Sequence, residues 1–392
     1  MIIFLKTVFW ISTTLVFYSY FGYAFIIWVY LKMNPPPGLS TPIDQPLMPV
    51  TLIVACYNEA GILEKKIRNC LALDYPRDKI SFIFITDGSS DQSSDILAGH
   101  PEIKHLHQSL RAGKVAAINR AMEYVKTEFV VFCDANTSLN SLSVQHIMKH
   151  YHNPLVGAVA GEKKVEDLLE STGASGAGEG LYWKYESFLK KLDSQFYSVV
   201  GAAGELFSIR TGLYEHVEEN VLLDDFIISM RICRRGYKVV YEPLAFATEP
   251  PSFTMKEEQK RKIRISAGGF QSIKMLSDLL NIFKYGRLSF LYISHRVLRW
   301  TLCPFLLPLI FVINLILWKI FPESFFSVFF IVQVFFYLAA LTGWAFASKN
   351  IKIKSLYVPY YFVFMNAAMF IGFQKYYNNN QSVLWEKARR KI

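Results

Sequence analysis

Four long stretches of this chain contain no charged residue. They lie between Lys6 and Lys32, between Arg299 and Lys319, between Glu323 and Lys349, and between Lys354 and Lys375. Each is close to or longer than the roughly 20 residues that an α-helix needs to cross the hydrocarbon core of a bilayer. One such stretch is compatible with a buried helix of a soluble domain, but four in one chain predict an integral membrane protein.

The first stretch predicts a membrane helix within residues 1–34. A cleaved signal peptide is the alternative, but the stretch is longer than a usual signal core, and neither a basic cluster before it nor a small-residue cleavage site after it is present. Prolines dominate residues 35–49, and they predict a stiff linker that is neither helix nor central strand. A soluble domain is therefore expected to begin near Val50.

Apolar runs alternate with segments of helical periodicity in the soluble part. Val50–Cys56, Ile80–Asp87 and Glu128–Asp134 are continuous apolar runs, typical of strands buried on both faces of a parallel sheet. Segments of helical spacing separate them, as in Gly113–Val125. This alternation predicts an α/β domain over residues 50–252, with a doubly wound parallel or mixed sheet and helices on both faces.

The rest of the chain divides into three parts. Ser171–Gly180 is rich in glycine, alanine and serine, which predicts a mobile loop. Residues 253–290 mix basic and apolar positions and predict amphipathic helices in the membrane interface, with a surface helix of the soluble domain as the alternative. Membrane segments are expected over residues 291–374, followed by a basic tail over residues 375–392.

The formal net charge of +10 is compatible with a nucleic acid, an anionic membrane or an anionic substrate as partner. Much of the excess lies beside the membrane stretches, at Lys349, Lys352 and Lys354 and again in Lys387–Lys391, so it predicts a lipid bilayer and no nucleic acid. The five cysteines show no C-x-x-C spacing, so we expect reduced thiols rather than disulfides or a zinc site.

Two of the predicted strands end in aspartate, at the sheet edge where ligands of such folds bind. Asp87 and Asp134 are placed to meet a ligand there, and an ordinary capping turn is the alternative for either one alone. Cys56, Tyr57 and Glu59 follow the first strand at the start of a helix. Tyr57 is suited to stacking on a base, and Glu59 to bonding a ribose or base edge.

Lys114 opens a helix, and a lysine beside a helix N-terminus is a site for phosphate oxygens. No G-x-x-x-x-G-K-[ST] loop occurs, so a diphosphate would bind without a P-loop. Asp134-Ala135-Asn136 carries two oxygen-bearing side chains at the short spacing that holds a hard cation together with a diphosphate. A capping turn without metal is an equal alternative at Asp134 and Asn136.

Asp224 and Asp225 lie about ninety residues after Asp134, at the start of another apolar helical pattern. An acid at that position is the expected helix cap. If the pair faces the same crevice as the strand ends, one carboxylate is suited to act as a general base that takes a proton from an attacking hydroxyl.

Seven segments, in order, resemble the membrane-bound family 2 glycosyltransferases, relatives of the cellulose, hyaluronan and poly-N-acetylglucosamine synthases. They are PVTLIVACYNEA, FITDGSSD, RAGKVAAIN, FCDAN, GAAGELFSIR, LLDDFIISMRICRRGYKVVYEP and RKIRISAG. They cover about residues 50–270. The resemblance implies a GT-A-like fold with flanking transmembrane helices, an active site on the cytosolic face of the plasma membrane, and Mg²⁺ or Mn²⁺ as cofactor.

The resemblance also implies a role for each matching residue. The nucleoside, usually uridine, and its sugar would lie against Cys56, Tyr57, Glu59, Asp87 and Ala135. The diphosphate would meet Lys114, and Asp134 with Asn136 would hold the metal. Asp225, beside Asp224, would be the base. Gly204 and Glu205 would border the acceptor sugar, and Arg261 and Arg264 would lie near the diphosphate and the growing chain.

This sequence departs from the family pattern at several positions. Asn136 replaces the second acid of the D-x-D metal motif, and Asp224 replaces a glutamate. Arg261 and Ile265 stand where the Q-x-x-R-W signature has glutamine and tryptophan, which weakens the case for processive synthesis. Glu205 adds a carboxylate to the acceptor region, where it would suit an amino sugar or another unusual sugar.

The function expected from the resemblance is inverting, metal-dependent transfer of a sugar from a nucleotide sugar, usually linked to UDP, to a growing polysaccharide or oligosaccharide. A single transfer to a lipid acceptor is the nearer alternative, and product length separates the two. A non-catalytic membrane transporter or nucleotide sensor is the more distant alternative.

The sequence leaves the membrane topology open. With the soluble domain in the cytosol, three later spans would place Lys387–Lys391 outside, against the positive-inside bias. Either the last apolar stretch is re-entrant or interfacial, or His295, Arg296 and Arg299 belong to a helix that lies on the membrane and the spans are counted differently.

Overall fold

The computed structural model describes residues 1–36, 46–165, 174–250, 254–349, 351 and 353–382. Within these residues the strands are β1 Val50–Cys56, β2 Ile80–Asp87, β3 Lys104–Gln108, β4 Phe129–Asp134, β5 Ser138–Leu139, β6 Val156–Val165, β7 Leu206–Arg210 and β8 Lys238–Glu249. The proline-rich linker from residue 37 to 45 and the basic tail from residue 383 onward lie outside the described residues.

The α-helices of the same residues divide into three groups. Those of the N-terminal region are α1 Ile2–Phe17 and α2 Tyr23–Met33. Those of the α/β domain are α3 Ala60–Leu71, α4 Ser93–Ala98, α5 Lys114–Met122, α6 Ser143–Met148, α7 Ala174–Phe196 and α8 Asp224–Arg234. The later ones are α9 Met255–Met275, α10 Ile282–Tyr285, α11 Arg287–Leu291, α12 Leu298–Trp300, α13 Leu302–Ile320, α14 Phe325–Ser348 and α15 Lys354–Tyr377.

The strands form one mixed sheet in the order β3-β2-β1-β4-β7-β6-β8-β5. The first four strands in this order are parallel to one another, whereas β7 runs antiparallel to both β4 and β6. The carboxyl ends of β1, β2 and β4 therefore meet at one edge. These ends are Cys56, Asp87 and Asp134, so the sheet brings the predicted ligand residues to the same crevice.

Apolar side chains cover the sheet on both faces, as the continuous apolar runs predict. On β1, Ile53 and Ala55 join the core that includes α5 and α8. Leu52 and Val54 belong to the opposite core, which includes α3 and α6. Because β1 is buried on both faces, helices must cover both sides of the sheet, and this confirms the predicted mixed sheet with helices on both faces.

The predicted mobile loop at Ser171–Gly180 is wrong from Ala174 onward, because α7 begins there. Glycine lowers helix stability by only about 1 kcal/mol per residue relative to alanine, and tertiary packing outweighs that cost. Leu189 and Leu192 bury the far end of this helix against the core of the α/β domain. Residues 171–173 lie outside the described part.

Within the described part of the chain, four helices are long and apolar enough to cross a membrane: Ile2–Met33, Leu302–Ile320, Phe325–Ser348 and Ser355–Tyr377. In the first, α1 and α2 join through a π-helical turn at Tyr18–Gly22. The length and apolar composition of these helices support the expectation of a membrane protein.

A buried ion cluster joins the first membrane helix to the α/β domain. The Tyr23 hydroxyl donates to Asp193 of α7 at 2.5 Å, and the other oxygen of that carboxylate pairs with His295 Nδ1 at 2.5 Å. Glu186, two turns earlier on α7, pairs with Arg296 at 2.5 Å and Arg299 at 3.6 Å. His295, Arg296 and Arg299 therefore contact the α/β domain rather than lipid.

Candidate active site

Carboxylates from two separate parts of the chain meet around the ammonium of Lys114. Its Nζ lies 2.8 Å from Asp134 Oδ1 at the end of β4 and 3.9 Å from Asp224 Oδ2 at the start of α8. Burial alone lowers the pKa of Lys114, but these two carboxylates outweigh burial and raise it above its ordinary value. The structure thus brings together residues that are about ninety positions apart in sequence.

Asp225 faces the same cluster. A β-carbon placed on Gly204 would lie 3.2 Å from Asp225 Oδ2 and 3.4 Å from Lys114 Nζ, so the glycine leaves room beside both groups. Burial, together with the neighbouring charge of Asp224, raises the pKa of Asp225 to about 7. A carboxyl with such a pKa is suited to proton transfer near neutral pH.

The loop that contains Gly204 is pressed against α8 by a glycine with positive φ. Gly201 has φ +85°, and a β-carbon there would lie only 2.1 Å from the ring of Phe226. The backbone nitrogen of Ala202 donates to Ser229 Oγ at 2.9 Å, which ties the same loop to the next turn of α8. Loop and helix therefore position Asp225 as one unit.

Arg264 of α9 lies over the acid cluster. Burial lowers the pKa of its guanidinium, while the aspartates around Lys114 act in the opposite direction. Among the described residues, its Nε has no hydrogen-bond partner. A half-buried guanidinium with an available donor beside three carboxylates is suited to an anionic ligand such as a diphosphate.

The carboxylate of Asp87 is hydrogen-bonded to other groups of the protein. Its carboxylate accepts hydrogen bonds from the backbone nitrogens of Ala112 at 3.0 Å and Gly113 at 2.6 Å, and from Arg120 at 3.2 Å. These contacts fix the loop that leads into Lys114. Asp87 is therefore a positioning residue in this structure, and its predicted nucleoside contact stays a prediction.

Tyr57 and Arg111 form one wall of the crevice, with the guanidinium carbon 3.7 Å from the ring centroid. Asn58, which has φ +53°, accepts a hydrogen bond from Ser90 N at 2.8 Å, so the turn after β1 is tied to the turn after β2. Glu59 is buried, and its backbone nitrogen donates to Ser93 Oγ at 2.9 Å. The sequence prediction missed Arg111, although it lies in the RAGK segment.

Cys56 and Ala135 can offer only backbone atoms to the crevice, because their side chains are part of the core on the α3 side of the sheet. Next to Ala135, the buried Lys66 donates to the Thr137 carbonyl oxygen at 2.9 Å. The hydroxyl of Thr137 in turn donates to the carbonyl oxygen of Asp134 at 2.9 Å. These bonds hold the turn from Asp134 to Asn136, and nothing in the sequence marked Lys66 for this role.

Glu205 lies in a dense ion-pair network. Its Oε1 accepts from Lys163 at 2.7 Å and from Arg261 at 3.1 Å, and both cations also contact Glu249. Burial alone raises the pKa of Glu205, but the two cations outweigh it and hold that pKa well below its ordinary value. Arg261 is thus paired with carboxylates of the protein itself, and the expected direct roles of Glu205 and Arg261 at substrate stay predictions.

The residues predicted for a metal fit a cation that arrives with the nucleotide. Within the described part of the chain, no group of three or more His, Cys, Asp or Glu side chains is arranged to hold a metal ion alone. Asp134 and Asn136 offer two oxygens, and Mg²⁺ commonly takes one or two carboxylates while substrate phosphates and water complete its shell. The donor set therefore suits a shared site rather than a preformed one.

Comparison with known proteins identifies the class of this chain. Residues 51–218 match the family model of glycosyl transferase family 2. These residues therefore form a family 2 glycosyltransferase domain, in a chain that also has apolar helices long enough to cross a membrane. Among its relatives is the poly-β-1,6-N-acetyl-D-glucosamine synthase of Staphylococcus aureus (strain MSSA476), 24% identical over 291 residues, which are 72% of this chain and 66% of that protein.

The synthase of the same name from Staphylococcus epidermidis is 24% identical over 251 residues, which are 62% of this chain and 59% of the relative. The chain thus spans just under two thirds of the length of these curated relatives. Among solved structures, a mannosyltransferase from Pyrobaculum calidifontis in complex with GDP-Man and Mn²⁺ matches 96% of this chain and 100% of its own, with a TM-score of 0.71 and 20% identity. This likeness shows the fold.

Proposed function

We propose that this enzyme transfers a sugar from a UDP-linked donor to a hydroxyl of a saccharide acceptor at the cytosolic face of the plasma membrane, with inversion at the anomeric carbon. The observation that carries the proposal is the meeting of Asp134, Lys114 and Asp225 in one crevice. The ammonium of Lys114, which suits a diphosphate, thus lies beside Asp225, a carboxyl whose pKa burial raises to about 7.

In the proposed step, Asp225 takes the proton of the acceptor hydroxyl while that oxygen forms a bond to the anomeric carbon. The bond from the anomeric carbon to the diphosphate oxygen breaks on the opposite side, and the nucleoside diphosphate leaves with the electron pair. Lys114 and Arg264 are the protein's own cations beside that leaving group. Cations positioned in a dry crevice stabilise developing negative charge strongly.

A divalent cation, Mg²⁺ or Mn²⁺, would be held by Asp134 and Asn136 together with the donor's phosphates. When bound, it would neutralise charge on the departing diphosphate. Lys114 Nζ lies 2.8 Å from Asp134 Oδ1, so the lysine is next to this proposed metal ligand.

N-acetylglucosamine is the first sugar to test, since the curated relatives are named as poly-β-1,6-N-acetyl-D-glucosamine synthases. The product would be a β-linked polysaccharide or oligosaccharide. A second candidate is a single transfer to a lipid-linked acceptor. It is favoured by the pairing of Arg261 with Glu205, which engages this arginine at 3.1 Å where the processive signature has glutamine.

The base assignment is tested with Asp225→Asn in the full-length enzyme in detergent or vesicles. We expect a fall in transfer of about 10²–10⁴-fold with donor affinity retained, because the substitution removes only the proton acceptor. Asp95→Asn, at an exposed site on α4, is the matched control and should transfer normally. Near-normal transfer by the Asp225 variant would contradict the proposal.

Donor and product are tested together. The enzyme is incubated with UDP-N-acetylglucosamine, UDP-glucose and GDP-mannose, each radiolabelled, and products are sized. A polymer supports synthesis of a polysaccharide, and an adduct of one sugar on lipid supports the second candidate. Donor affinity is measured in parallel with and without chelator, and an affinity and rate unchanged by the chelator would exclude the metal role.

A further inference from the structure

We infer that α15 lies along the membrane surface on the side of the active site, so that the chain crosses the bilayer three times and not four. The partner of this helix is the headgroup layer of an anionic membrane. The inference stands on where the two ends of α15 pack, on its neighbour α9, and on the distribution of basic residues. It does not depend on the proposed reaction.

The far end of the membrane bundle is defined by three helices. Lys6 near the start of α1 lies 4.1 Å from the ring of Phe321, just after α13. Phe9 of α1 meets Phe326, at the start of α14, with ring centroids 5.4 Å apart. Leu317 of α13 completes this apolar cluster, and among the described residues the cluster contains none from α15.

The near end of the bundle lies beside the catalytic domain. There α13 begins at Leu302, three residues after Arg299, which pairs with Glu186. Because α13 and α14 form an antiparallel hairpin, the last turns of α14 also belong to this end. A β-carbon on Gly343 of α14 would lie 2.4 Å from the carbonyl oxygen of Leu356, so the first turn of α15 is at the near end.

The last turns of α15 are at the near end as well. Phe370 and Phe373 contact Phe305, one turn into α13, with ring centroids 4.6 Å and 5.6 Å apart. Seventeen residues separate Leu356 from Phe373, a rise of about 25 Å in an α-helix. In a spanning helix, Phe373 would approach the far end beside Phe321. Because Phe373 contacts Phe305 instead, both ends of α15 lie at the near end, and α15 runs crosswise to α13 and α14 rather than alongside them to the far end.

The helix α9 accompanies α15 along its length. The Tyr361 hydroxyl donates to Glu258 at 3.3 Å, Ser266 Oγ donates to the Met369 carbonyl oxygen at 3.3 Å, and Phe373 contacts Phe270 at 5.1 Å. Eight of the 21 residues of α9 are charged, namely Lys256, Glu257, Glu258, Lys260, Arg261, Lys262, Arg264 and Lys274. Such a helix does not enter the hydrocarbon core, so its companion stays at the surface.

The basic residues around α15 fit this placement. In the sequence, Lys349 and Lys352 precede the helix, Lys354 is its first residue, Lys375 lies in its last turn, and Lys387–Lys391 follows. With α15 on the surface, Lys349, Lys354 and Lys375 lie at the same leaflet as the active site, where each contributes about 1 kcal/mol of attraction to anionic lipid. A fourth span would divide them between the two sides, against the positive-inside bias.

Cysteine labelling of the full chain in cells tests the inference. All five natural cysteines are buried, so the unaltered chain should not react with a membrane-impermeant maleimide and serves as the background control. Single cysteines are introduced at three exposed positions: Glu219→Cys in the catalytic domain, Glu323→Cys between α13 and α14, and Asn380→Cys after α15. Each variant is labelled in intact cells and after permeabilisation.

We expect Asn380→Cys to react under the same condition as Glu219→Cys, and Glu323→Cys under the other. Reaction of Asn380→Cys together with Glu323→Cys would overturn the inference, because it requires α15 to span. Reaction of all three under one condition would also overturn it, because the hairpin of α13 and α14 would then not cross. A second readout uses Asn380→Cys carrying a fluorescent maleimide, in vesicles of zwitterionic lipid with and without added anionic lipid. The fluorescence of the label should change when anionic lipid is present. No change would count against the headgroup contact.

Discussion

The raised pKa of Asp225 gives a quantitative prediction for the pH dependence of transfer. The ionised carboxylate is the form that accepts a proton, and its pKa is about 7. Activity should therefore be present at higher pH and fall as the pH drops through 7. With one such group, the ionised fraction is about one tenth at pH 6, one half at pH 7 and nine tenths at pH 8, so kcat/KM should rise about tenfold from pH 6 to pH 8.

The neighbouring charge of Asp224 is one of the causes of the raised pKa, and burial is the larger one. Asp224→Asn removes that charge while keeping the side-chain volume. Whatever the maximal rate of this variant, the acidic limb of its kcat/KM profile should move to lower pH, because the remaining carboxyl loses more of its proton when no like charge opposes ionisation.

The assay is initial-rate transfer of a radiolabelled donor between pH 5.5 and 8.5 at constant ionic strength. Donor affinity is measured at each pH, so that a change in binding is not mistaken for ionisation of the base. A flat kcat/KM between pH 6 and 8 would refute the electrostatic reasoning. An acidic limb at the same pH in Asp224→Asn would refute the part that assigns the effect to the neighbouring carboxylate.

Three further substitutions test other parts of the structure. Lys114→Met should weaken donor affinity about tenfold to a hundredfold, measured by calorimetry, since a charge-assisted hydrogen bond contributes about 1.5–3 kcal/mol. Gly201→Ala should lower the free energy of unfolding by more than Gly236→Ala does, because both have positive φ but only Gly201 faces a ring at 2.1 Å. Gly372→Ala should slow transfer by displacing α9, since its β-carbon would lie 2.3 Å from a side-chain oxygen there, whereas Gly61→Ala, with open space, should not.

Each of these has a clear contrary result. Unchanged donor affinity in Lys114→Met would remove this lysine from the diphosphate site. Gly201→Ala and Gly236→Ala could instead lose the same stability, near the 1–2 kcal/mol that a left-handed backbone costs an ordinary residue. That result would mean that the ring of Phe226 moves aside freely. Normal transfer in Gly372→Ala would show that the contact between α15 and α9 does not position the site.

Much of the parallel half of the sheet could be predicted from sequence because its strands are buried on both faces. The apolar runs ending at Cys56, Asp87 and Asp134 correspond to β1, β2 and β4, within a residue or so at each boundary. Strands β6 and β8 carry no such signal. Lys163 interrupts the apolar pattern of β6, and its charge is tolerated only because Glu205 and Glu249 neutralise it.

The site could be predicted only in part, for a related reason. The meeting of Lys114 and Asp134 follows from local rules, since both lie at the ligand edge of a parallel sheet. Arg264 could be assigned only by resemblance, because its position depends on how α9 packs after the α/β domain is complete. The engagement of Glu205 by Arg261 depends on tertiary packing between β7 and α9, which no local pattern encodes.

The buried ion cluster at the membrane junction sets an order for biosynthesis. Tyr23 leaves the ribosome 170 residues before Asp193, the carboxylate to which its hydroxyl donates. His295, which holds the other oxygen of that carboxylate, follows a further 102 residues later. At about 5–20 residues per second, the whole interval lasts roughly 14–54 s. The first helix to enter the membrane is therefore among the last to complete its contacts, and a chain released before His295 would leave one oxygen of Asp193 without this partner.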